Sequence, residues 1–208
     1  MRAFVGISLP GHVRDALEQL QQALQAAQAD VKWVEPSNLH VTLKFLDEIT
    51  EEQRQAVEAM LARVAAYEPA FQLGIEGVGA FPSPTAPRVI WVGLVTGKEV
   101  VARIVEAIER EGANIPLRKE ERSFSPHLTL GRVRSSRHQQ RLVQQLREVT
   151  WQAPSAWQVS SLTLYQSELS SAGPRYTVLA DLPFGKPTSS ESAGTGEASP
   201  APSGPLAL

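Results

Sequence analysis

"NLHVTL" (residues 38–43) and "SPHLTL" (residues 125–130) carry the same short pattern, His-x-Thr-Leu, in two distant parts of one chain. Side chains alternate between the two faces of a β-strand, so the histidine and the threonine of each copy share one face. The apolar residues of each copy point to the opposite face. Each copy therefore predicts a strand that buries an apolar side and presents a polar pair to a cleft: His40 with Thr42, and His127 with Thr129.

The elements around the two copies follow the same order. After each copy come a helical pattern, a strand that begins with an aromatic residue, and a further strand. The aromatic residues are Phe71 and Trp157, and the further strands begin at Arg88 and Arg175. A duplicated β-α-β-β unit of this kind predicts two similar lobes that face each other. We expect a site built by both lobes to lie in the cleft between them.

Strict alternation also assigns a strand face to the residues that follow each copy. It places Phe45 and Arg132 on the apolar faces, and Lys44 on the polar face. Arg132 would need a bulge or a strand end to reach a phosphate, so we leave it outside the predicted site. Lys44 lies on the predicted polar face and could contact a phosphate, but a solvated lysine at a strand end is an equally good interpretation.

Three smaller signals have structural interpretations. Thr50 followed by Gln53 predicts a capping box that opens a helix. The two remaining histidines, His12 and His138, lie in helix-like, charged sequence. We expect them on the surface and assign them no role.

The bulk composition excludes several classes of protein. Of the 208 residues, 42% are hydrophobic, which is enough for a sizeable core, and the formal charge of −2 gives no overall field that favours nucleic acid. The absence of cysteine excludes disulfides and thiolate metal sites. No apolar run approaches the ~20 residues needed to span a bilayer. We therefore expect a cytoplasmic monomer without a membrane partner.

The chain divides into two regions by composition. Residues 1–184 contain all the strand and helix patterns and form the predicted two-lobed domain. Residues 185–208 consist mostly of Ser, Gly, Pro, Ala and Thr, and have little to bury. Because such a segment cannot offset the entropy lost on ordering, we expect a disordered tail that takes no part in the chemistry.

Two histidines and two threonines in facing lobes suit acid–base chemistry at phosphorus. Imidazole titrates near neutral pH, so one histidine can take a proton while the other gives one. The threonine hydroxyls can donate to the non-bridging oxygens of a phosphate and hold it between the imidazoles. Neither copy has the three convergent ligands that catalytic zinc usually requires, so we expect no metal and no cofactor. The structural alternative is that the repeated motif is only a packing pattern of strands. The residues alone do not show which histidine is the acid and which is the base.

Several stretches together resemble a known family. The two copies are similar to the signature of the 2H phosphoesterase superfamily, and "RAFVGISLP", "PRVIWVG", "FSPHLTLGRV" and "GPRYTVLADL" resemble its bacterial and archaeal RNA 2′,3′-cyclic phosphodiesterases, also called 2′-5′ RNA ligases. The resemblance runs from residue 1 to about residue 184. It implies a bilobal α+β fold with pseudo-twofold symmetry, in which two antiparallel sheets line a central cleft and helices lie outside.

The same resemblance implies an activity and the role of each site residue. The reaction is hydrolysis of a 2′,3′-cyclic phosphate at an RNA 3′ end to a 2′-phosphomonoester, with reversible 2′-5′ ligation as a related reaction. His40 would donate a proton to the leaving 3′ oxygen, His127 would activate water, and Thr42 and Thr129 would hold the phosphate.

Two other functions fit the same residues. A nucleotide- or RNA-binding module without turnover would keep the cleft, although binding alone does not require two titrating groups. A sister phosphoesterase that acts on another small cyclic phosphate, or on 2′-5′ linkages, would keep the same catalytic residues. The sequence does not identify the side chains that would separate these substrates.

Overall fold

A computed structural model describes residues 1–117, 124–170 and 173–185, apart from the side chain of Ser170. The elements in these ranges are β1 (Arg2–Ser8), α1 (Gly11–Gln25), β2 (Val31–Trp33), β3 (His40–Glu48), α2 (Glu51–Ala66), β4 (Phe71–Leu73), β5 (Ile75–Ser83), β6 (Ala86–Leu94), α3 (Lys98–Glu111), β7 (His127–Val133), α4 (Gln139–Glu148), β8 (Trp157–Val159), β9 (Ser161–Ser170) and β10 (Gly173–Pro183). The predicted tail lies outside the described residues except for Gly185, whose backbone N–H donates to the carbonyl of Ala65 at 3.0 Å.

The strands form two four-stranded antiparallel sheets that meet at the motif strands. The order is β10-β9-β1-β3 in the first sheet and β2-β7-β6-β5 in the second, and β4 pairs with β8. Strand β3, at the edge of the first sheet, lies beside β7 of the second. Helix α2 packs against α3, and α1 against α4. The α+β fold with two antiparallel sheets is therefore as expected.

The two halves repeat one arrangement, but their last strands differ. Strand β1 lies between β3 and β9, and β6 lies in the same way between β7 and β5. Strand β10 does not lie between two other strands, because it extends the first sheet beyond β9 and forms its edge. Arg88 on β6 and Arg175 on β10 are therefore not equivalent in space, although they occupy the same position in the repeated order of elements along the sequence. The order of elements along a chain does not show whether a strand joins the centre or the edge of a sheet.

Each helix packs one apolar face against the sheets. Residues three or four apart meet on one face of a helix, and apolar residues at this spacing are buried in each of the four helices. Burial of each such side chain contributes roughly 1.5–3 kcal/mol. The buried positions include Val13, Leu17, Leu20 and Leu24 of α1, Val57, Met60 and Leu61 of α2, Val101, Ile104 and Ile108 of α3, and Leu142 and Leu146 of α4.

The start of α2 confirms the predicted capping box. The backbone N–H of Gln53 donates to Thr50 Oγ1 at 3.2 Å, and the backbone N–H of Thr50 donates to Gln53 Oε1 at 2.8 Å. Helix α2 therefore begins at the residue after Thr50, directly behind the end of β3. None of the described helices combines the length and the apolar character needed to cross a bilayer.

Candidate active site

The structure brings the two predicted polar pairs to neighbouring strands of different sheets. His40 and Thr42 lie at the start of β3, and His127 and Thr129 at the start of β7. All four side chains are half-buried, whereas the residues between them, such as Val41 and Leu128, are fully buried. Because β3 lies beside β7, the two polar pairs lie at the junction of the two sheets, which is called the groove below.

Each motif histidine is oriented by a carbonyl two residues before it. The Nδ1–H of His40 donates to the carbonyl of Asn38 at 2.7 Å, and the Nδ1–H of His127 donates to the carbonyl of Ser125 at 2.6 Å. A carbonyl only accepts, so the proton of each neutral ring lies on Nδ1. Each neutral ring therefore carries its lone pair on Nε2, the nitrogen that can accept a proton.

Aromatic rings fix the plane of each imidazole. Tyr176 meets His40 edge-on at 5.3 Å and 87°, and Phe4 lies 4.6 Å from the same ring. Phe81 meets His127 edge-on at 5.1 Å and 88°. Such edge-to-face contacts are favourable and directional, so they limit rotation of the two imidazole rings.

The environments of the two histidines differ. Burial lowers the pKa of His40 below its ordinary value, and the hydrogen bond to Asn38 opposes this only in part. The hydroxyl of Thr42 donates to His40 Nε2 at 2.8 Å, which is consistent with a neutral ring. Within the described part of the chain, Thr129 makes no such bond to His127. The site is thus asymmetric in spite of the repeated motif.

A β-bulge interrupts the alternation in both motif strands and corrects three sequence-based expectations. Against β1, Thr42 pairs with Gly6 and Lys44 with Val5, so the intervening Leu43 is the extra residue. The bulge turns Phe45 onto the face of the polar pair, where it is 54% exposed and lies 6.2 Å from Phe4. Lys44 is turned inward instead, where it is 6% exposed and forms an ion pair with Glu109 of α3.

The bulge in β7 has the same position in its motif. Against β6, Thr129 pairs with Trp91 and Gly131 with Ile90, which leaves Leu130 as the extra residue. Arg132 therefore shares the face of His127 and Thr129 and is exposed. The expectation that it lies on the opposite face was wrong, because alternation was assumed to be unbroken. Gly131 was an available signal, since glycine inside a strand often marks a bulge.

A buried glutamine holds the β7 bulge in place. Gln21 of α1 is 3% exposed, and its Nε2 donates to the carbonyl of Leu130 at 2.9 Å and to that of Val34 at 2.8 Å. The same Leu130 carbonyl accepts the backbone N–H of Val34 at 2.9 Å. Gln21 thus anchors the backbone at the extra residue of the bulge, two residues before Arg132, and so helps to set the direction of that side chain.

Replacing Gln21 with leucine should lower both stability and activity. The change removes one buried and one partly buried hydrogen bond, so we expect a loss of roughly 1–3 kcal/mol in the free energy of unfolding, measured by urea denaturation. The same change at Gln22, the exposed neighbour on α1, should have little effect. In an Arg132→Ala background, Gln21→Leu should still reduce stability but should not reduce kcat/KM further. An equal loss of kcat/KM in both backgrounds would show that Gln21 does not act through Arg132.

The other two histidines lie outside the groove. His12 is exposed on α1. His138 precedes α4, with its Nδ1–H donating to the carbonyl of Gln28 at 2.9 Å. The described ranges contain no cluster of three or more His, Asp or Glu side chains that could hold a metal ion.

Comparisons with known proteins agree with this architecture. The family model "LigT like Phosphoesterase" matches twice, over residues 7–91 and 92–176. An RNA 2′,3′-cyclic phosphodiesterase of Methanothermobacter thermautotrophicus is 36% identical over 178 residues, which cover 85% of this chain and 95% of that protein. The crystal structure of TT0787 from Thermus thermophilus superposes with a TM-score of 0.72 at 29% identity, covering 90% of this chain and all of that one. E. coli LigT complexed with 3′-AMP superposes with a TM-score of 0.69 at 25% identity, covering 88% and 97% of the two chains.

Two sheets that meet at a doubled His-x-Thr motif define a class of two-histidine phosphoesterases. The matches cover most of the described chain, and the model matches once in each half, as the repeated element order predicts. This chain belongs to the LigT-like phosphoesterase family.

Proposed function

We propose that this protein hydrolyses the 2′,3′-cyclic phosphate at an RNA 3′ end to a 2′-phosphomonoester. The observation that supports this best is the pair of histidines on adjacent motif strands, each with Nδ1 bound to a carbonyl and Nε2 available for proton transfer. The names of its relatives point to the same substrate, and the related E. coli LigT has been crystallised with the ribonucleotide 3′-AMP.

In the proposed reaction, the phosphate lies between the two imidazoles. His127 Nε2 takes a proton from water as the water oxygen bonds to phosphorus. The bond between phosphorus and the 3′ oxygen breaks, and His40 Nε2 gives that oxygen a proton. Thr42, Thr129 and the guanidinium of Arg132 donate to the non-bridging oxygens, which carry the developing charge.

His40 can serve as the acid only once substrate is bound. Before binding, its lowered pKa keeps the ring neutral at pH 7, with Thr42 donating to Nε2. An anionic phosphodiester beside the ring favours the imidazolium and raises its pKa. The Thr42 hydroxyl then turns to the phosphate, which leaves Nε2–H for the 3′ oxygen. Substrate binding thereby converts His40 into the proton donor.

Phe45 offers a surface for the nucleobase. It is a large, exposed apolar ring on the same face as His40 and Thr42. Stacking on an aromatic ring contributes about 1–3 kcal/mol for each base and tolerates any base. A base stacked on Phe45 would place the cyclic phosphate over the motif residues without selecting a sequence.

Incubation of the protein with adenosine 2′,3′-cyclic phosphate in EDTA should test the activity directly. We expect conversion to the 2′-phosphate at an undiminished rate, because side chains supply the acid, the base and the phosphate donors. Formation of the 3′-phosphate would contradict cleavage of the bond to the 3′ oxygen. Loss of turnover in EDTA that one divalent ion restores would contradict the two-histidine mechanism.

The non-catalytic binding module makes the opposite prediction. Such a protein would bind the cyclic nucleotide and release it unchanged. Two further expectations from the sequence stay predictions, namely that the enzyme is a monomer and that it works in the cytoplasm.

A further inference from the structure

One end of the groove holds positive side chains that the proposed reaction does not use. Lys32 on β2 pairs with Arg132 on β7, so the two side chains lie on the same face of the second sheet. The Nζ of Lys32 reaches toward the first sheet, where it lies 3.8 Å from the point that a Cβ on Gly173 would occupy. Lys32 thus bridges the groove beside Arg132 while remaining exposed.

Arg2 is a further cation, on the first sheet. It lies two residues before Phe4 on β1, and so shares the face that packs on His40. Burial raises the pKa of the Tyr176 hydroxyl, and the guanidinium groups of Arg132 and Arg2 both oppose that rise. The charges of both guanidinium groups thus act on Tyr176, whose ring meets His40 edge-on and lies 4.9 Å from Phe4.

Some of the cations within the described ranges are paired with carboxylates. Arg54 lies 2.6 Å from both Glu51 and Glu58, and Arg103 lies 2.7 Å from Glu68. Among the described residues no carboxylate lies within ion-pair distance of Lys32, Arg2 or Arg132. Glu48, opposite Arg2 on β3, pairs with the amino terminus at 3.3 Å instead. Like charges gathered in this way in a groove favour a ligand that carries several negative charges.

We propose that Lys32, which lies beside Arg132 on the second sheet, and Arg2 on the first sheet form a second phosphate site. It accepts the phosphodiester joined to the 5′ oxygen of the nucleotide whose cyclic phosphate is hydrolysed. This inference rests on the proposed function, because the motif residues and Arg132 must hold the cyclic phosphate for the next phosphate to lie here. The enzyme is thereby fitted to the end of an RNA chain rather than to a free cyclic mononucleotide.

Adenosine 2′,3′-cyclic phosphate with and without a 5′-phosphate provides the simplest test. In the unmodified enzyme the 5′-phosphate should raise kcat/KM, and the dinucleotide ApA that ends in a 2′,3′-cyclic phosphate should show the same gain. Lys32→Gln and Arg2→Gln should each reduce that gain about fivefold, the upper range for an exposed charge pair, and leave the substrate without a 5′-phosphate unaffected. With longer cyclic-ended RNA, each substitution should reduce the slope of log kcat/KM against log salt concentration by about 0.7.

Arg141→Gln is the matched control, because it removes the same charge from an exposed position on α4. It should change neither the gain nor the slope. The site is refuted if a 5′-phosphate brings no gain, or if Lys32→Gln lowers kcat/KM equally for both mononucleotides. A gain from the 5′-phosphate that the dinucleotide lacks would refute its assignment to RNA.

A binding measurement separates this inference from the proposed activity. Fluorescence anisotropy with labelled tri- and mononucleotides that end in a 2′-phosphate needs no turnover. The trinucleotide should bind more tightly to the unmodified protein, and Lys32→Gln should remove most of the difference. If no cyclic nucleotide is hydrolysed but this difference holds, the activity fails and the phosphate site stands. Equal affinities for the trinucleotide and the mononucleotide would refute the second phosphate site, whether or not the protein hydrolyses cyclic nucleotides.

Discussion

Alanine in place of His40 or His127 is expected to lower kcat by about 10²–10⁴-fold, the usual contribution of a general acid or base. In the proposed reaction each side chain transfers one proton in the same step, so losing either leaves the reaction without a proton path. The double variant should therefore be little slower than the slower single variant, far from the product of the two effects. Single-turnover measurement of cyclic phosphate hydrolysis provides the comparison.

The remaining two histidines are the controls for this result. His12→Ala and His138→Ala should retain full kcat, because neither side chain lies in the groove. Thr42→Ala and Thr129→Ala should cost less than the motif histidines, since a phosphate donor is lost while the proton path remains. If His40 or His127 can be removed without a loss of rate, the repeated motif is a packing pattern and the mechanism is wrong.

The pH profiles of the two variants assign the roles of acid and base. The intact enzyme should show a bell-shaped profile of kcat/KM, because one imidazole must be protonated and the other neutral. With His40 as acid, His40→Ala needs only a neutral His127, so its activity should rise with pH and then level off. His127→Ala needs only a protonated His40, so its activity should fall as pH rises through a pKa that burial places below the ordinary value. The reverse pattern would make His40 the base.

Removing the guanidinium of Arg132 is expected to reduce kcat/KM by about 10²-fold, the lower range for one donor to a developing oxyanion. The β7 bulge places this side chain on the face of His127 and Thr129, where the proposed reaction holds the phosphate. Arg132→Lys should recover only part of the loss, because an ammonium cannot donate to two phosphate oxygens in one plane. Steady-state kinetics on adenosine 2′,3′-cyclic phosphate measures both variants.

Arg141→Ala tests whether any such loss is due to the charge alone. Arg141 is exposed on α4, away from the motif strands, and its removal should leave kcat/KM unchanged. The bell-shaped pH profile of Arg132→Ala should also be retained, since both histidines remain. An Arg132→Ala variant within twofold of the unmodified enzyme would exclude this residue from the site.

The sequence by itself determined the elements whose signals are local. Apolar residues three or four apart predicted the helices, and the spacing of Thr50 and Gln53 predicted a cap that forms as expected. The two motif pairs were predicted to share strand faces, and they do, because neighbouring residues on a strand have fixed directions. Backbone geometry over two to four residues is enough to derive each of these features.

Only the tertiary structure decided which other side chains join the motif pairs. The bulges at Leu43 and Leu130 depend on how β3 pairs with β1 and β7 with β6, and that pairing joins distant residues. They bring Phe45 and Arg132 to the groove and send Lys44 inward to Glu109. The lowered pKa of His40 likewise comes from burial by strands far away in sequence. A short repeat can specify the same residues twice, but the contacts that make the two copies unequal form only when the sheets assemble.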